Sequence, residues 1–115
     1  MFKRGEIWLA DLNPSKGTEP GKTRPVLIVQ DQALLDAEHP STLIVPLTMN
    51  VVKDAEPLRV HVPASSGMKQ SSDLLIDQVR AIDNRRFIKG PIGRLPAAAM
   101  KKVNGALCEV MGVET

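Results

Sequence analysis

The segment GTEPGKTRPVLIVQ, residues 17–30, decides how the rest of the chain is read. Its first half carries Gly17, Pro20 and Gly21 and is a loop. Its second half, RPVLIVQ (24–30), is an almost unbroken apolar run of strand length. That is the pattern of a strand covered on both faces. Pro25 fits such a strand only at its start, where no ladder donor is required. Lys22, Thr23 and Arg24 therefore stand where a flexible connection enters a buried sheet. The connection, NPSKGTEPGK (13–22), is long for a hairpin, and long loops in small domains commonly carry function.

Reading outward, GEIWLADL (5–12) is a strand with both faces partly covered. DQALLDAEH (31–39) predicts a short helix capped by Asp31 and stopped before Pro40. STLIVPLT (41–48) is a third strand, with Pro46 marking a bulge or an edge. LRVHVPA (58–64) alternates as a half-exposed strand, and SDLLIDQVRAI (72–82) reads as one long fifth strand. DNRR is a turn, and FIKGPIGRL (87–95) is a strand broken by two glycines. From Pro96 the pattern changes period. Met100, Val103, Leu107 and Val110 fall on one helical face, with Pro96 at the start and Gly112 at the end. This helix is expected to lie as a lid over the sheet. Six short strands, a terminal helix and a short helix after the second strand predict an α+β or mainly β architecture of small-barrel type.

A chain of 115 residues is expected to be one domain, 1–115, burying roughly two-thirds of its unfolded surface without staples. The single cysteine, Cys108, has no internal partner, and no secretory leader or membrane-length apolar run is legible. A cytoplasmic location and no membrane partner are expected. Net charge is only +2, yet it is unevenly placed. Lys16, Lys22 and Arg24 face Glu19 alone in the first loop region, and Arg80, Arg85, Arg86, Lys89 and Arg94 face Asp83 alone later. Two basic segments can build one face for an anionic partner.

Several chemistries lack their residues. His39 and His61 are the only histidines, and with Cys108 they make no zinc spacing, so no metal site is expected. His61 reads as a strand-face residue. GTEPGK lacks the spacing of a phosphate-binding P-loop. Ser65, Ser66, Ser71 and Ser72 have no evident histidine base. What remains is Arg24 at the head of the second strand, Thr48 at the end of the third, and Asp77, Gln78 and Arg80 in the fifth. If those termini meet, a guanidinium fork, a hydroxyl and a carboxylate converge. RNA carries its own nucleophile in the 2′-hydroxyl. Its cleavage then needs proton transfer and stabilisation of charge on the phosphate, which an arginine fork supplies. The alternative from spacing alone is a structural Arg24–Asp77 ion pair.

The chain also resembles a known family, the MazF/PemK (Kid) toxin endoribonucleases. The resemblance rests on RGEIWLADLNPSKGTEPGKTRPVLIVQ (4–30), TLIVPLT (42–48), LLIDQVRAID (74–83) and IGRL (92–95), in order along essentially the whole chain. It implies an SH3-like β-barrel with helices, acting as a homodimer. It implies sequence-specific cleavage of single-stranded RNA without metal or other cofactor, leaving 2′,3′-cyclic phosphate and 5′-hydroxyl ends. It implies a cognate antitoxin whose acidic C-terminal segment occupies the RNA groove. Arg24 falls on the family's catalytic arginine, for transition-state charge and proton transfer. Thr48 falls on its threonine, for a hydrogen bond to phosphate, and Asp77 on an acidic residue used by some members. Lys16, Thr18, Lys22, Thr23, Gln78 and Arg80 are then candidate RNA contacts.

Two departures matter. Met49 stands where many relatives have serine, and the first loop has Lys16–Gly17 where some place a histidine base. An arginine, with an unperturbed pKa of ~12.5 or above, must lose a proton to act as base, so the base stays open. Only Phe2, Trp8 and Phe87 are aromatic, few for stacking RNA bases. Two other readings keep the fold: a CcdB-like gyrase poison, and a non-catalytic barrel binding RNA or a peptide. The first depends on a C-terminal Trp-Gly-Ile, where this chain reads VMGVET.

Overall fold

In a computed structural model the apolar run 24–30 is sandwiched as its composition demands. β1 (Glu6–Asp11) and β2 (Thr23–Ile28) pair antiparallel, Ile7 with Leu27 through Asp11 with Thr23. Leu27 enters one core cluster while Val26 and Ile28 enter another. Alternate side chains thus bury on opposite faces, which is why the run is apolar without a break. The structure describes residues 1–14, 16–18 and 21–114; Glu19, the lone acid of the basic loop, lies outside them.

After a one-turn helix, α1 (Gln32–Asp36), comes β3 (Ser41–Thr48), then β4 (Arg59–Val62), β5 (Ser72–Leu75), β6 (Arg80–Asp83), β7 (Phe87–Arg94) and the helix α2 (Ala97–Met111). The seven strands are ordered β4-β5-β3-β2-β1-β7, with β6 also on β3. The expected fifth strand is therefore two strands. A 3₁₀ turn at Ile76–Gln78 bends the chain, so residues 72–75 and 80–83 pair with different stretches of β3. Pro46 marks neither edge nor bulge. It stays in register with Val26, at the centre of the sheet. β6 pairs with β3 through residue 44 and β5 from residue 47, and Pro46 falls in the interval where no strand asks for its missing N–H.

The sheet does not close into the expected barrel. β4 and β7 end the strand order and share no ladder. Backbones meet there instead. The 3₁₀ turn Ala64–Ser66 and Gly67 press on Ile92–Gly93 of β7. A Cβ on Gly67 would stand 2.7 Å from the Gly93 Cα, and one on Gly93 would overlap the Ser66 carbonyl. Gly67 also has φ +100°, which side chains other than glycine's resist.

The larger core lies between the sheet and α2. Ile7, Leu27, Val45, Leu47, Val62 and Leu74 meet Val103, Ala106 and Leu107 of the helix. Burying each large aliphatic chain contributes roughly 1.5–3 kcal/mol. Met100 and Val110 complete the predicted helical face, half-buried. Pro96 is the residue before the helix, and Gly112, at φ +71°, ends it. The second cluster holds Ala10, Val26, Ile28, Ile44 and Ile82, with Phe2, Trp8 and Phe87 against it.

Candidate active site

The β2–β3 pairing brings Arg24 and Thr48 together. The ladder runs Ile28–Ile44, Leu27–Val45, Val26–Pro46. The ladder stops there, but Arg24 near the start of β2 and Thr48 at the end of β3 lie at the same end of this antiparallel pair, and both line one cavity. Arg24 is half-buried, and its Nε donates to the Gly21 carbonyl at 2.8 Å. Among the described residues nothing else takes its terminal nitrogens. Thr48 Oγ1 accepts from the Asn50 N–H at 3.2 Å, which leaves its O–H free to donate.

The chain just before Arg24 is tied to the end of β1. Lys22 takes φ +66°, donates its N–H to Asn13 Oδ1 at 2.8 Å, and accepts from the Leu12 N–H at 2.9 Å. The loop therefore delivers Arg24 from a fixed base. Arg86 donates to the Asp11 and Asn13 carbonyls and tightens the same corner.

A cavity of about 600 Å³ opens over this pair, within the usual range for ligand sites. Lys22, Thr23, Arg24 and Thr48 line it, and Lys69 and Lys89 join them. No carboxylate lines it among the described residues. Lys16 and Thr18 are exposed in the β1–β2 loop and do not line it. Asp77, Gln78 and Arg80 do not line it either. The bend at Ile76–Gln78 takes Asp77 and Gln78 out of any strand, and Arg80 pairs with Ile44, four residues or ~13 Å of strand from Thr48. Asp77 is exposed, while Arg80 is half-buried with one terminal nitrogen enclosed and unpartnered among the described residues. Of the expected convergence of Arg24, Thr48 and Asp77, the cavity thus brings together only the first two.

Sequence reasoning missed Asp73. It pairs with Thr48 across β3 and β5 and is 1% exposed. Its carboxylate accepts from the Val52 N–H at 2.9 Å and from Arg59 at 3.2 Å, and lies 3.1 Å from His61 Nδ1. Arg59 also donates to the Asn50 carbonyl at 2.7 Å. Burial works to raise the Asp73 pKa, but the bonds from Val52, His61 and Arg59 outweigh it and hold the carboxyl below its ordinary value. One buried charge thereby fastens the β3–β4 loop beside Thr48. The signal was available: Arg59 and His61 alternate onto one face of β4, and SDLL sets a lone carboxylate in the next apolar run. Lys69 and Lys89 carried a weaker signal, because nothing local says that the β4–β5 connection meets β7. Among the described residues no three His, Cys, Asp or Glu side chains gather as a metal site.

The family of PemK-like, MazF-like toxins of type II toxin–antitoxin systems matches residues 3–111. The chain belongs to that family. It is 32% identical to endoribonuclease MazF of Staphylococcus saprophyticus over 116 residues, covering 100% of this chain and 95% of the relative. Its fold matches Mycobacterium tuberculosis toxin MazF-mt6 with a TM-score of 0.79, at 23% identity, over 96% of this chain and 99% of that one. It also matches a MazE–MazF structure from Deinococcus radiodurans with a TM-score of 0.74, at 24% identity, over 96% and 95% of the two chains.

Proposed function

We propose that this protein is the toxin of a toxin–antitoxin pair and an endoribonuclease that cuts single-stranded RNA through the RNA's own 2′-hydroxyl. One observation carries the reading: Arg24 and Thr48, at the same end of β2 and β3, line one cationic cavity in a chain of this toxin family. The 2′-oxygen attacks phosphorus and the bond to the 5′-oxygen breaks. The 2′-hydroxyl loses a proton and the leaving oxygen gains one, giving a 2′,3′-cyclic phosphate and a 5′-hydroxyl. Negative charge builds on the non-bridging phosphate oxygens, where the Arg24 fork and the Thr48 hydroxyl donate. With that charge met by side chains, the reading needs no metal. Lys22 and Thr23 position phosphates, and Lys16, Thr18, Gln78 and Arg80 contact RNA beyond the cavity. Asp77 takes no part in the step, because it stands outside the cavity.

The cationic rim also suits an acidic antitoxin segment competing with RNA, and the Deinococcus relative was solved as MazE–MazF. We place the working form as a cytoplasmic homodimer. The test is to treat long RNAs with pure protein in chelator and sequence the fragment 5′ ends. Cuts at one recurrent motif, bearing 5′-hydroxyls and abolished by a 2′-deoxy residue at the cut, are expected. Cleavage that survives the deoxy substitution, or that needs added Mg²⁺, would overturn the mechanism.

A further inference from the structure

The three aromatic side chains are occupied with one another. Ring centroids of Phe2 and Trp8 lie 4.8 Å apart, Phe2 and Phe87 4.6 Å, and Trp8 and Phe87 5.8 Å. They pack against the second core cluster, and none lines the cavity over Arg24 and Thr48. A stacking platform is therefore absent from the site among the described residues. The cavity offers a different hold. Behind its cationic rim the wall is mostly apolar, built from Leu9, Leu47, Met68 and Ile92. Leu47 belongs to the larger core, and Met68 and Ile92 pack on it. The wall is backed where Gly67 and Gly93 bring two backbones into contact, which leaves it little room to collapse. Gln70, exposed at the edge of the cavity, offers an amide donor and an amide acceptor.

This combination fits a nucleotide. A nucleobase has apolar faces and a hydrogen-bonding edge, and it is joined to an anionic phosphate. An acidic side chain would fit worse, because an apolar wall strips water from a charge without replacing it. We infer that the cavity receives one unstacked base of the RNA beside the phosphate held by Arg24 and Thr48. Met68 packs on the face of that base and Gln70 bonds its edge. The inference rests on the endoribonuclease reading and adds to it two residues that set specificity.

The test uses an oligoribonucleotide spanning one mapped cut, with each base in turn removed to leave an abasic ribose. At one position next to the cut, kcat/KM of the wild type should fall at least tenfold. Met68→Ala and Gln70→Ala should each lower kcat/KM on the intact strand about fivefold or more, a scale set by contacts to single bases. In the double variant the abasic penalty at that position should shrink below twofold, while penalties elsewhere are kept. Circular dichroism and thermal melts check folding, and exposed Gln70→Ala alone serves if Met68→Ala does not fold. Penalties that simply add in variant and wild type overturn the pocket while leaving the nuclease standing. A folded wild type that cuts no RNA removes the nuclease reading, and the pocket with it.

Discussion

Arg24 and Lys22 differ in what their charges can do. Arg24 has its Nε–H fixed on Gly21 and a planar fork left for the cavity, whereas Lys22 sits at the rim as a point charge. Arg24→Lys keeps the charge and loses the fork. Its kcat should fall about a hundredfold or more with KM within threefold, as expected when a donor acts mainly in the transition state. A raised KM with kcat unchanged, read from steady-state and single-turnover kinetics, would assign Arg24 to binding instead. Asp73 makes a different prediction, on stability. Its folded pKa is depressed, so its contribution is present above the unfolded value near 3.8 and is lost as pH falls through the folded value. Melting temperature should therefore drop more steeply below about pH 4 in the wild type than in Asp73→Asn. At neutral pH Asp73→Ala should cost about 3 kcal/mol, because it takes from Arg59 its carboxylate partner and leaves the Val52 N–H unpaired. Parallel melting curves across pH for wild type and Asp73→Asn would show that the carboxylate contributes nothing as a charge.

At the scale of elements, α2 is the part most legible in the sequence and the easiest to improve. Its buried face was set by a period of 3.6, and Pro96 and Gly112 bracket it. Gly105 lies in its middle, helical, with open space where a Cβ would go. Gly105→Ala should raise stability by about 0.5–1 kcal/mol without touching the cavity, read as a higher melting temperature at unchanged kcat/KM. A lower melting temperature would mean that something covers this face of the helix. The strands were legible where burial has one period. β2 showed its doubled coverage, and Arg24 and Thr48 could be placed at strand ends. The split of residues 72–83 was not legible. Ile76 and Val79 stay apolar through the 3₁₀ turn, so hydrophobicity does not mark the bend at Asp77. The same bend removed Asp77 from the cavity. The open sheet was hidden for another reason: two glycines, 67 and 93, make contact only in three dimensions, and neither announces its partner.

At the scale of the molecule, function depends on where charge lies, since the total is small. A net charge of +2 attracts RNA weakly at a distance, particularly once salt shortens the range to about 10 Å. The second basic segment does not act as a block. Arg85 is held by Asp83, whose carboxyl is lowered to about 2 by that contact, and Arg86 is tied to the Asp11 and Asn13 carbonyls. Lys89 alone of that segment reaches the cavity, where it joins Lys22, Arg24 and Lys69. The four cations of the cavity alone contribute about −3 to the slope of log K against log salt, each neutralised phosphate adding about −0.7, and Lys16 and Arg80 beyond it steepen the slope further. Lys89→Ala should reduce the slope by roughly one such increment while leaving the cut motif unchanged, because phosphate contacts position without specifying. Fluorescence anisotropy with a 2′-deoxy-blocked oligonucleotide, titrated from low to physiological salt, measures the slope, and 5′-end sequencing reads the motif. A slope near zero would leave the cationic rim without a role in RNA binding. A Lys89→Ala variant with an altered motif would move Lys89 from the backbone to the bases, and the cavity would then read sequence from its rim as well as from its wall.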